Sequence, residues 1–398
     1  MSSAEQDNAI KEARSYDEVF SPVKHVFNES SYVVANLETT ISGQEFGYTH
    51  EPASFNTPED ILPAIKGIGV NLVTNANNHI LDRGVEGMLK TIDSLNRYNI
   101  EHTGCYKTKD ESDKIFIKSF CGLRVAFLSF TYGTNSEFNG HTLPSDETFL
   151  IDLLKRQPEL GHVGFQTRHN FTIKVENRFQ GKALRLLKKA EKLYYRFKPY
   201  TGGQDIDTVS ETEISNPENQ PYLQRLKDKV ETARSKSDIV VLCLHCGGQY
   251  NNEVGIYTHY IYKYLRNLNI DLIVGNHPHC ILSCGFWGHR LYTYSLGNFS
   301  FTPGGMWYVE TVLAEYSVIL HAYFDNITKK IIRYTYSIIK NIVDENGMSR
   351  VYDTFYLVEN EKDIVRKKQL ISEILEATRR FSGKRSKKVR KEYLLKAF

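Results

Sequence analysis

Six apolar runs of seven or eight residues recur along the chain, and they are rich in Val, Ile, Leu and aromatic side chains. Runs of this length are short for helices and are typical of buried strands. The predicted strands are residues 31–38, 70–76, 123–130, 238–245, 271–277 and 290–296.

Amphipathic segments with helical spacing lie between these runs. Residues 83–99 and 256–269 repeat apolar side chains every three or four positions, and residues 221–237 form a third predicted helix. Strands that alternate with helices in this way predict an α/β fold with at least partly parallel strands.

Two parts of the chain interrupt the alternation. Residues 141–230 contain a basic amphipathic helix pattern at 183–197 and then a long polar stretch, which predicts an insertion. After about residue 310, the pattern predicts a hairpin around Asp325-Asn326 and then a helix with a basic tail. We therefore predict one domain over residues 1–325, and an appendage over residues 326–398 formed by the second hairpin strand, the C-terminal helix and the tail.

Composition narrows the class of protein. Hydrophobic residues make up 41% of the chain, which excludes disorder over its whole length. Because 50 Lys+Arg nearly balance 47 Asp+Glu, the chain has no overall electrostatic field that would attract nucleic acid or a membrane. The first twenty residues lack the features of a secretory signal, and no apolar run is long enough to span a membrane. With six internal cysteines, these features predict a cytoplasmic protein with reduced thiols and, at most, peripheral membrane contact.

Polar motifs follow the apolar runs, at the positions where open α/β sheets bind ligands. They are Asn36-Leu37-Glu38, Asn77-Asn78-His79, His245-Cys246-Gly247-Gly248, His277-Pro278-His279 and Ser295-Leu296-Gly297-Asn298-Phe299. A lone histidine at a strand end is most often structural, but three histidines with a carboxylate and an Asn-Asn-His block predict a joint site. Imidazole, carboxylate and amide oxygen suit Mn²⁺, Fe²⁺ or Zn²⁺, and such a metal supports hydrolysis because it lowers the pKa of its water.

Two of these motifs have simpler interpretations. Asn36 is better explained as a loop-forming side chain than as a ligand. The segment from Ser295 to Phe299 is better explained as a tight turn lining the site, with Gly297 supplying a backbone conformation that other residues resist.

At these motifs the sequence resembles the capsule-synthesis CapA family, also described as poly-γ-glutamate capsule biosynthesis proteins. The resemblance covers residues 18–310 and rests on VVANLETTIS, TNANNHILDRGVEGMLKTIDSL, LHCGGQY, GNHPHCI and YSLGNFSF, in this order. It implies a metallophosphatase-like fold similar to that of calcineurin-like phosphoesterases. This is a four-layer α/β sandwich of two sheets flanked by helices, with a metal site at the strand ends.

The resemblance also implies roles for individual residues. Glu38 would be the carboxylate that bridges two metal positions, while Asn78, His245 and His277 would complete one position and His279 would serve the other. His79 would be a catalytic residue that contacts phosphate oxygens or protonates a leaving group. The implied cofactor is one or two divalent ions of Mn, Fe, Zn or Mg.

The chain departs from the family pattern in three places. Family members open with a strand ending in Gly-Asp whose Asp binds the first metal, and no such strand precedes residues 31–38, so we expect the first strand to be missing. Cys246 and Gln249 replace a Trp and a Glu of the family, and Asn276 replaces a His. We therefore expect one metal position with its full ligand set and a second with fewer ligands.

Other features support weaker alternatives. Cys243, Cys246, Cys280 and Cys284 have spacings compatible with zinc, but strand geometry separates the first pair, and buried inert thiols are the better interpretation. The basic run at 384–391 predicts a solvated tail or a contact with an anionic polymer or membrane surface. No Gly-rich phosphate loop is present, and no specific nucleic acid is predicted.

These observations predict a metal-dependent phosphoesterase-like protein of capsule or poly-γ-glutamate biosynthesis. Its substrate would be an anionic polymer or a phosphoester, and its partners would be capsule-synthesis proteins. The alternative is a non-catalytic component of capsule or exopolymer assembly that retains the fold, which the missing Asp would allow.

Overall fold

The computed structural model describes residues 15–49, 54–157, 209–250, 252–300, 313–345 and 347–398. The helix predicted at 183–197 lies outside these ranges. The described residues form thirteen strands: β1 (Val33–Asn36), β2 (Val70–Thr74), β3 (Glu101–Thr103), β4 (Phe116–Phe120), β5 (Leu123–Thr131), β6 (Ile239–His245), β7 (Leu272–Asn276), β8 (Cys284–Trp287), β9 (Arg290–Thr293), β10 (Tyr316–Asp325), β11 (Lys330–Val343), β12 (Ser349–Asp353) and β13 (Tyr393–Ala397).

Nine α-helices accompany these strands in the described ranges, and a 3-10 helix spans Ser21–Phe27. The α-helices are α1 (Asp17–Phe20), α2 (Ile61–Gly67), α3 (Gly84–Arg97), α4 (Lys109–Ser112), α5 (Ser136–Asn139), α6 (Gln220–Lys236), α7 (Ile256–Leu265), α8 (Thr354–Asn360) and α9 (Ile364–Ser382). None of the described helices is both long and apolar enough to cross a membrane.

The largest sheet has six strands in the order β4-β5-β6-β7-β9-β8. Its inner strands β5, β6, β7 and β9 run parallel, and the two edge strands run antiparallel to their neighbours. Every residue of β6 is buried, as expected for a central strand covered on both faces. Helices α6 and α7 cover one face, where Val230 and Ile261 pack in a common apolar cluster.

The opposite face of this sheet packs against two smaller sheets. One is the parallel sheet β1-β2-β3, and the other is an antiparallel sheet in which β11 pairs with β10, β12 and β13. Leu72 of the first small sheet, Val241 of the large sheet and Tyr334 of the antiparallel sheet meet in one buried cluster.

Helices complete the outer layer over the two smaller sheets. The 3-10 helix Ser21–Phe27 and α2 pack with β1 and β2, and α9 packs on the antiparallel sheet through Ile374 and Phe381. The order of layers is therefore helix, sheet, sheet, helix, which confirms the predicted four-layer metallophosphatase-like sandwich.

All six predicted strands are confirmed, as are the helices expected at 83–99, 221–237 and 256–269 and the hairpin around Asp325-Asn326. The first strand expected from the family pattern has no counterpart among the described residues, and no described strand pairs with the outer edge of β1. The division of the chain at residue 325 stays a prediction.

The residues that follow the basic run form a strand that the sequence pattern did not predict. Tyr393–Ala397 forms β13 and pairs with β11. The cause is an alternation inside the basic segment, because Tyr393 is buried and stacks on Tyr336 while Leu394 points to solvent. The basic run before it, from Lys384 to Lys391, is mostly exposed.

A buried ionic cluster ties α6 to the segment that follows β5. Asp152 has no exposed surface, and its carboxylate accepts hydrogen bonds from Lys229 at 2.6 and 2.8 Å, from Arg225 at 3.1 Å and from the Tyr106 hydroxyl at 2.7 Å. Burial lowers the pKa of Lys229, and the charge of Asp152 opposes that shift. The buried charges of Lys229 and Asp152 therefore stabilise each other.

We predict that Asp152→Ala lowers the free energy of unfolding by about 3–5 kcal/mol, because it leaves the Lys229 ammonium buried without its counterion. The matched control is Glu59→Ala, which breaks the exposed Arg97–Glu59 pair and should cost about 1 kcal/mol or less. Urea titration followed by circular dichroism measures both. Equal losses in the two variants would show that the buried cluster does not stabilise the fold.

Candidate metal centre

The candidate site lies where strands of the two packed parallel sheets end. Glu38 follows β1 and Asn78 follows β2, while His245 is the last residue of β6 and His277 follows β7 directly. The carboxyl ends of neighbouring parallel strands meet at the same edge of a sheet, so each pair is brought together by strand pairing. Packing of the two sheets then brings the two pairs to one point.

The five predicted ligand side chains converge there. His245 Nε2 lies 2.8 Å from Asn78 Oδ1, 3.1 Å from His277 Nδ1 and 3.4 Å from Glu38 Oε1. The fifth side chain is close by, because His279 Nε2 lies 3.4 Å from the same Glu38 oxygen. Among the described residues, Glu38, His245 and His277 form the group whose ligand atoms all lie within 4.8 Å of one another.

The backbone of the His-Pro-His segment is held in an unusual conformation. His277 has φ of 103° and His279 has φ of 56°, a region that residues other than glycine rarely adopt. Gly247 makes room for it, because a Cβ at Gly247 would lie 2.9 Å from Pro278 Cγ, and its own φ is 130°. The loop after β6 therefore packs closely against the loop after β7, which turns both imidazoles toward Glu38.

Two asparagines orient the ligands. Asn36 Nδ2 donates to Glu38 Oε2 at 3.0 Å, which leaves Oε1 facing the histidines. Asn298 Nδ2 donates to the carbonyl oxygens of His279 and Ala314, so its Oδ1 is the acceptor for His279 Nδ1 at 2.8 Å. His279 therefore carries its proton on Nδ1 and presents the Nε2 lone pair to Glu38.

Asn77 joins the two loops of the smaller sheet. Its Nδ2 donates to the Leu37 carbonyl at 2.8 Å and to Asn36 Oδ1 at 3.3 Å, and its Oδ1 accepts the His79 backbone N–H at 3.1 Å. These hydrogen bonds of the Asn77 side chain, rather than the pairing of strands, therefore fix the position of Glu38 relative to Asn78 and His79.

His79 is held by a carboxylate and makes no described hydrogen bond to the five candidate ligand side chains. Its Nδ1 donates to Asp82 Oδ2 at 2.6 Å, and its ring packs 4.1 Å from the ring of Phe55. Asp82 also accepts the Phe55 backbone N–H at 2.7 Å and the Asn139 amide at 3.1 Å. No described residue hydrogen-bonds His79 Nε2, so this nitrogen is available to a ligand.

The electrostatics favour ligation. Burial lowers the pKa of both His277 and His279, and the neighbouring His245 adds to the shift in each. Burial opposes ionisation of Glu38, yet His245 and His279 bring its pKa well below the usual range. The directions of the pKa shifts of Glu38, His277 and His279 favour the protonation states that metal ligation requires, a carboxylate that ionises readily and imidazoles that protonate less readily.

The residues present fit a divalent metal. Glu38 Oε1 is buried without a hydrogen-bond partner among the described residues, and such an atom is costly unless a ligand satisfies it. Two ligands bound at about 2.1 Å with tetrahedral angles lie about 3.4 Å apart. The separations of 3.1 and 3.4 Å from His245 Nε2 to His277 Nδ1 and Glu38 Oε1 are close to that value.

The sequence motifs named all five ligand candidates and His79, but not the residues that orient them. Asn36 was expected to form a loop, and Asn298 to line a turn, whereas each positions a ligand. Asp82 was part of a recognised motif, and its position three residues after His79 could have indicated the contact. The alternative zinc site of cysteines is not formed among the described residues, because the group of His, Cys, Asp and Glu side chains that comes close enough there to hold an ion contains no cysteine.

A family model and the curated relatives point to the same protein family. A family model described as bacterial capsule synthesis protein PGA_cap matches residues 1–303. The PGA biosynthesis protein CapA of Bacillus subtilis (strain 168) is 22% identical over 309 residues, which cover 77% of this chain and 63% of that protein. The capsule biosynthesis protein CapA of Bacillus anthracis is 20% identical over 303 residues, which cover 75% of this chain and 57% of that protein. The matched region therefore spans about three fifths of these two relatives.

A relative without an assigned role matches as well. The uncharacterized protein y4sH of Sinorhizobium fredii is 24% identical over 324 residues, which cover 72% of this chain and 63% of that protein.

We predict that Glu38→Gln abolishes metal binding, because it removes the anionic ligand and leaves only neutral donors. His79→Gln should retain the metal, since His79 contacts Asp82 rather than the ligand atoms. The matched carboxylate control is Asp17→Asn, at an exposed position on α1. Each variant is reloaded with Mn²⁺ or Zn²⁺ and passed through gel filtration, and elemental analysis then measures the bound metal. Metal loss in Asp17→Asn with retention in Glu38→Gln would refute the assignment.

We predict that the metal-free protein loses stability as the pH falls below about 6.5. The pKa values of His277 and His279 are lowered in the folded state, so the unfolded chain binds protons that the folded chain does not. Each such histidine lowers the free energy of unfolding by up to about 1.4 kcal/mol per pH unit. Urea titrations in chelator from pH 5 to 8 measure the slope, which His277→Gln should flatten. If the free energy of unfolding depends on pH in the same way in both proteins, His277 does not cause the loss of stability.

Proposed function

The chain belongs to the bacterial capsule synthesis protein family PGA_cap, and we propose that it is a metal-dependent phosphoesterase-like enzyme that acts in the synthesis of an anionic capsule polymer. The observation that carries this proposal is the pairing of two features at one set of strand ends. Glu38, His245 and His277 bring their ligand atoms together, and the same strand ends carry His79, which the buried carboxylate of Asp82 orients.

Glu38, Asn78, His245, His277 and His279 would hold the metal, of which Mn, Fe, Zn and Mg are the candidates. When bound, a divalent metal supplies a Lewis acid for phosphoryl oxygens and lowers the pKa of a water molecule. Asn36 and Asn298 keep Glu38 Oε1 and His279 Nε2 directed at one point, so the ligands need no rearrangement on binding. The site is therefore preorganised by the side chains of this chain.

His79 would move a proton at a fixed position. Asp82 accepts a hydrogen bond from Nδ1–H of His79, which sets the tautomer and leaves Nε2 as the nitrogen that would meet the substrate. In its protonated form His79 can donate from Nε2 to a phosphate oxygen or to the leaving group, and Asp82 stabilises the imidazolium that this form requires. Asp82 is thus a positioning residue for His79.

The substrate class follows from charge and from the relatives. A divalent ion beside a single carboxylate leaves a net positive charge, which suits a phosphoester or another anionic group. The names of two relatives assign poly-γ-glutamate or capsule synthesis to those proteins, and the proposal extends that process to this chain. Capsule-synthesis proteins are the partners that it implies.

The basic segment from Lys384 to Lys391 supports a second contact with the same kind of material. It carries exposed Lys384, Arg385, Lys387, Lys388, Arg390 and Lys391, and it lies between α9 and β13. An anionic polymer or an anionic membrane surface is the partner that such a segment attracts.

A non-catalytic assembly role is the second candidate function. The described ligand group contains Glu38 as its single carboxylate, which favours one ion where two-metal hydrolysis needs more anionic ligands. A protein that binds one ion and positions a polymer without hydrolysing it would retain the same fold and the same ligands.

We predict that the Mn²⁺-loaded protein hydrolyses an aryl phosphate or a bis-aryl phosphate, and that His245→Ala abolishes this activity with the metal. His79→Gln should retain the metal and lower kcat by about 100-fold or more. Asp82→Asn should lower kcat with little change in KM, because it disturbs the orientation of His79. Release of aryl alcohol measures the rates, and Cys246→Ala is the control.

The two candidate functions give different results in this assay. Metal bound in stoichiometric amount without turnover of either substrate, across Mn²⁺, Fe²⁺ and Zn²⁺, would support the assembly role over the enzyme. Absence of both metal and turnover would exclude the metal site on which both proposals depend.

A further inference from the structure

Residues 379–391 cover the last turn of α9 and the segment that leads to β13, and they are strongly basic. Eight of these thirteen residues are Lys or Arg, and none is acidic. They lie beyond residues 1–303, which the family model matches. We call the eight basic side chains the cationic strip: Arg379, Arg380, Lys384, Arg385, Lys387, Lys388, Arg390 and Lys391.

The backbone that carries the cationic strip is fixed. The Ser386 backbone N–H donates to Thr378 Oγ1 at 3.4 Å, and Ser337 Oγ of β11 donates to the Lys391 carbonyl at 2.8 Å. Between these contacts, Val389 packs against the apolar cluster under α9. The positive charges are therefore held at set positions on the surface of the protein.

Most charges of the strip have no acidic partner among the described residues. Glu376 pairs with Arg379 and Arg380. The six basic side chains from Lys384 to Lys391 are exposed, and no ion pair within the described ranges involves them. A group of fixed and uncompensated positive charges attracts an anion.

Charge gives no reason to place other segments of the chain on the strip. Residues 158–208 carry ten basic and five acidic side chains, and residues 301–312 carry one acidic side chain. Residues 1–14 carry three acidic and two basic side chains. A separate molecule with many negative charges therefore matches the strip better than these segments do.

The cationic strip is joined to the metal centre through the loop after β6. Arg380 Nη1 donates to Asn252 Oδ1 at 2.9 Å. Two residues earlier in this loop, the ring of Tyr250 stacks on the ring of His279 with their centroids 5.3 Å apart, and the Tyr250 N–H donates to the Pro278 carbonyl at 2.8 Å. Since two residues span at most about 7 Å, one short loop contacts both a candidate ligand and the strip.

We propose that the metal centre and the cationic strip bind one flexible anionic polymer, with a terminal anionic group at the metal centre and the following monomers along the strip. This inference rests on the proposed function and deepens it, because it selects a polymer over a small phosphoester as the substrate. Two sites that hold one chain bind it more tightly than either site alone, since the second contact forms within the same complex.

A flexible chain can reach both sites, whereas a membrane surface cannot. Glu38 and His277 are buried, so a ligand of the metal centre must be narrow enough to enter the protein. The apolar side chains of residues 379–391 are Phe381 and Val389, and both pack into the protein, so the strip offers none to insert among lipids. The geometry therefore favours a polymer.

The test titrates the full chain into fluorescein-labelled oligo-glutamates of about three and about fifteen residues and into polyphosphates of matched charge, and follows anisotropy. In about 50 mM salt with Mn²⁺, the long oligomers should bind at least about tenfold tighter than the short ones, because they reach both sites. Either kind of long oligomer supports the proposal, and the tighter one identifies carboxylate or phosphate as the preferred group.

Two comparisons separate the strip from the metal centre. Lys387→Gln/Lys388→Gln should weaken binding of the long oligomer at least about fivefold, since it removes two fixed charges. The matched control is Lys362→Gln/Lys368→Gln, which removes two exposed lysines near the other end of α9. Chelator should also weaken binding of the long oligomer at least about fivefold in the unmodified protein but not in Glu38→Gln, which lacks the metal from the start.

Four outcomes would overturn the proposal. They are equal affinity for long and short oligomers, equal losses in the two double variants, no effect of chelator on the unmodified protein, and binding to phosphatidylserine vesicles without binding of either long oligomer. None of these measurements depends on turnover. A protein that shows the expected binding but hydrolyses no ester would therefore refute the proposed enzyme and retain the proposed polymer site.

Discussion

The ionised carboxylate of Glu38, which is only 8% exposed, is the constraint on which the rest of the site depends. A buried charge is stable only when nearby groups compensate for its lost hydration. Asn36 satisfies one oxygen, and the other oxygen faces His245 and His279. Both imidazoles approach the same oxygen, and a cation bound there would compensate the same charge.

The architecture makes this arrangement possible because two sheets end at the same place. Parallel pairing aligns the ends of β1 with β2 and of β6 with β7, and the packing of the sheets places Glu38 opposite His245. Strand pairing alone does not fix the loops that carry Glu38 and His277. The amide of Asn77 fixes the loops of the smaller sheet to each other, and the close contact of Gly247 with Pro278 fixes those of the larger sheet. The strands therefore bring Glu38 and His245 to the same end of the two sheets, and contacts between loop residues fix their final positions.

The sequence predicted the elements that are apolar throughout and missed those that are short or half-exposed. Residues 238–245 are uniformly apolar because β6 is covered on both faces, so their periodicity was sufficient. By contrast, Glu101–Thr103 and Cys284–Trp287 have no fully apolar run, and their pairing partners define them as strands. The candidate ligands were predictable because motifs keep them together, whereas Asn36 and Asn298 act through partners that only the tertiary structure supplies. Tyr393–Ala397 was hidden for the same reason, within a segment dominated by lysine and arginine.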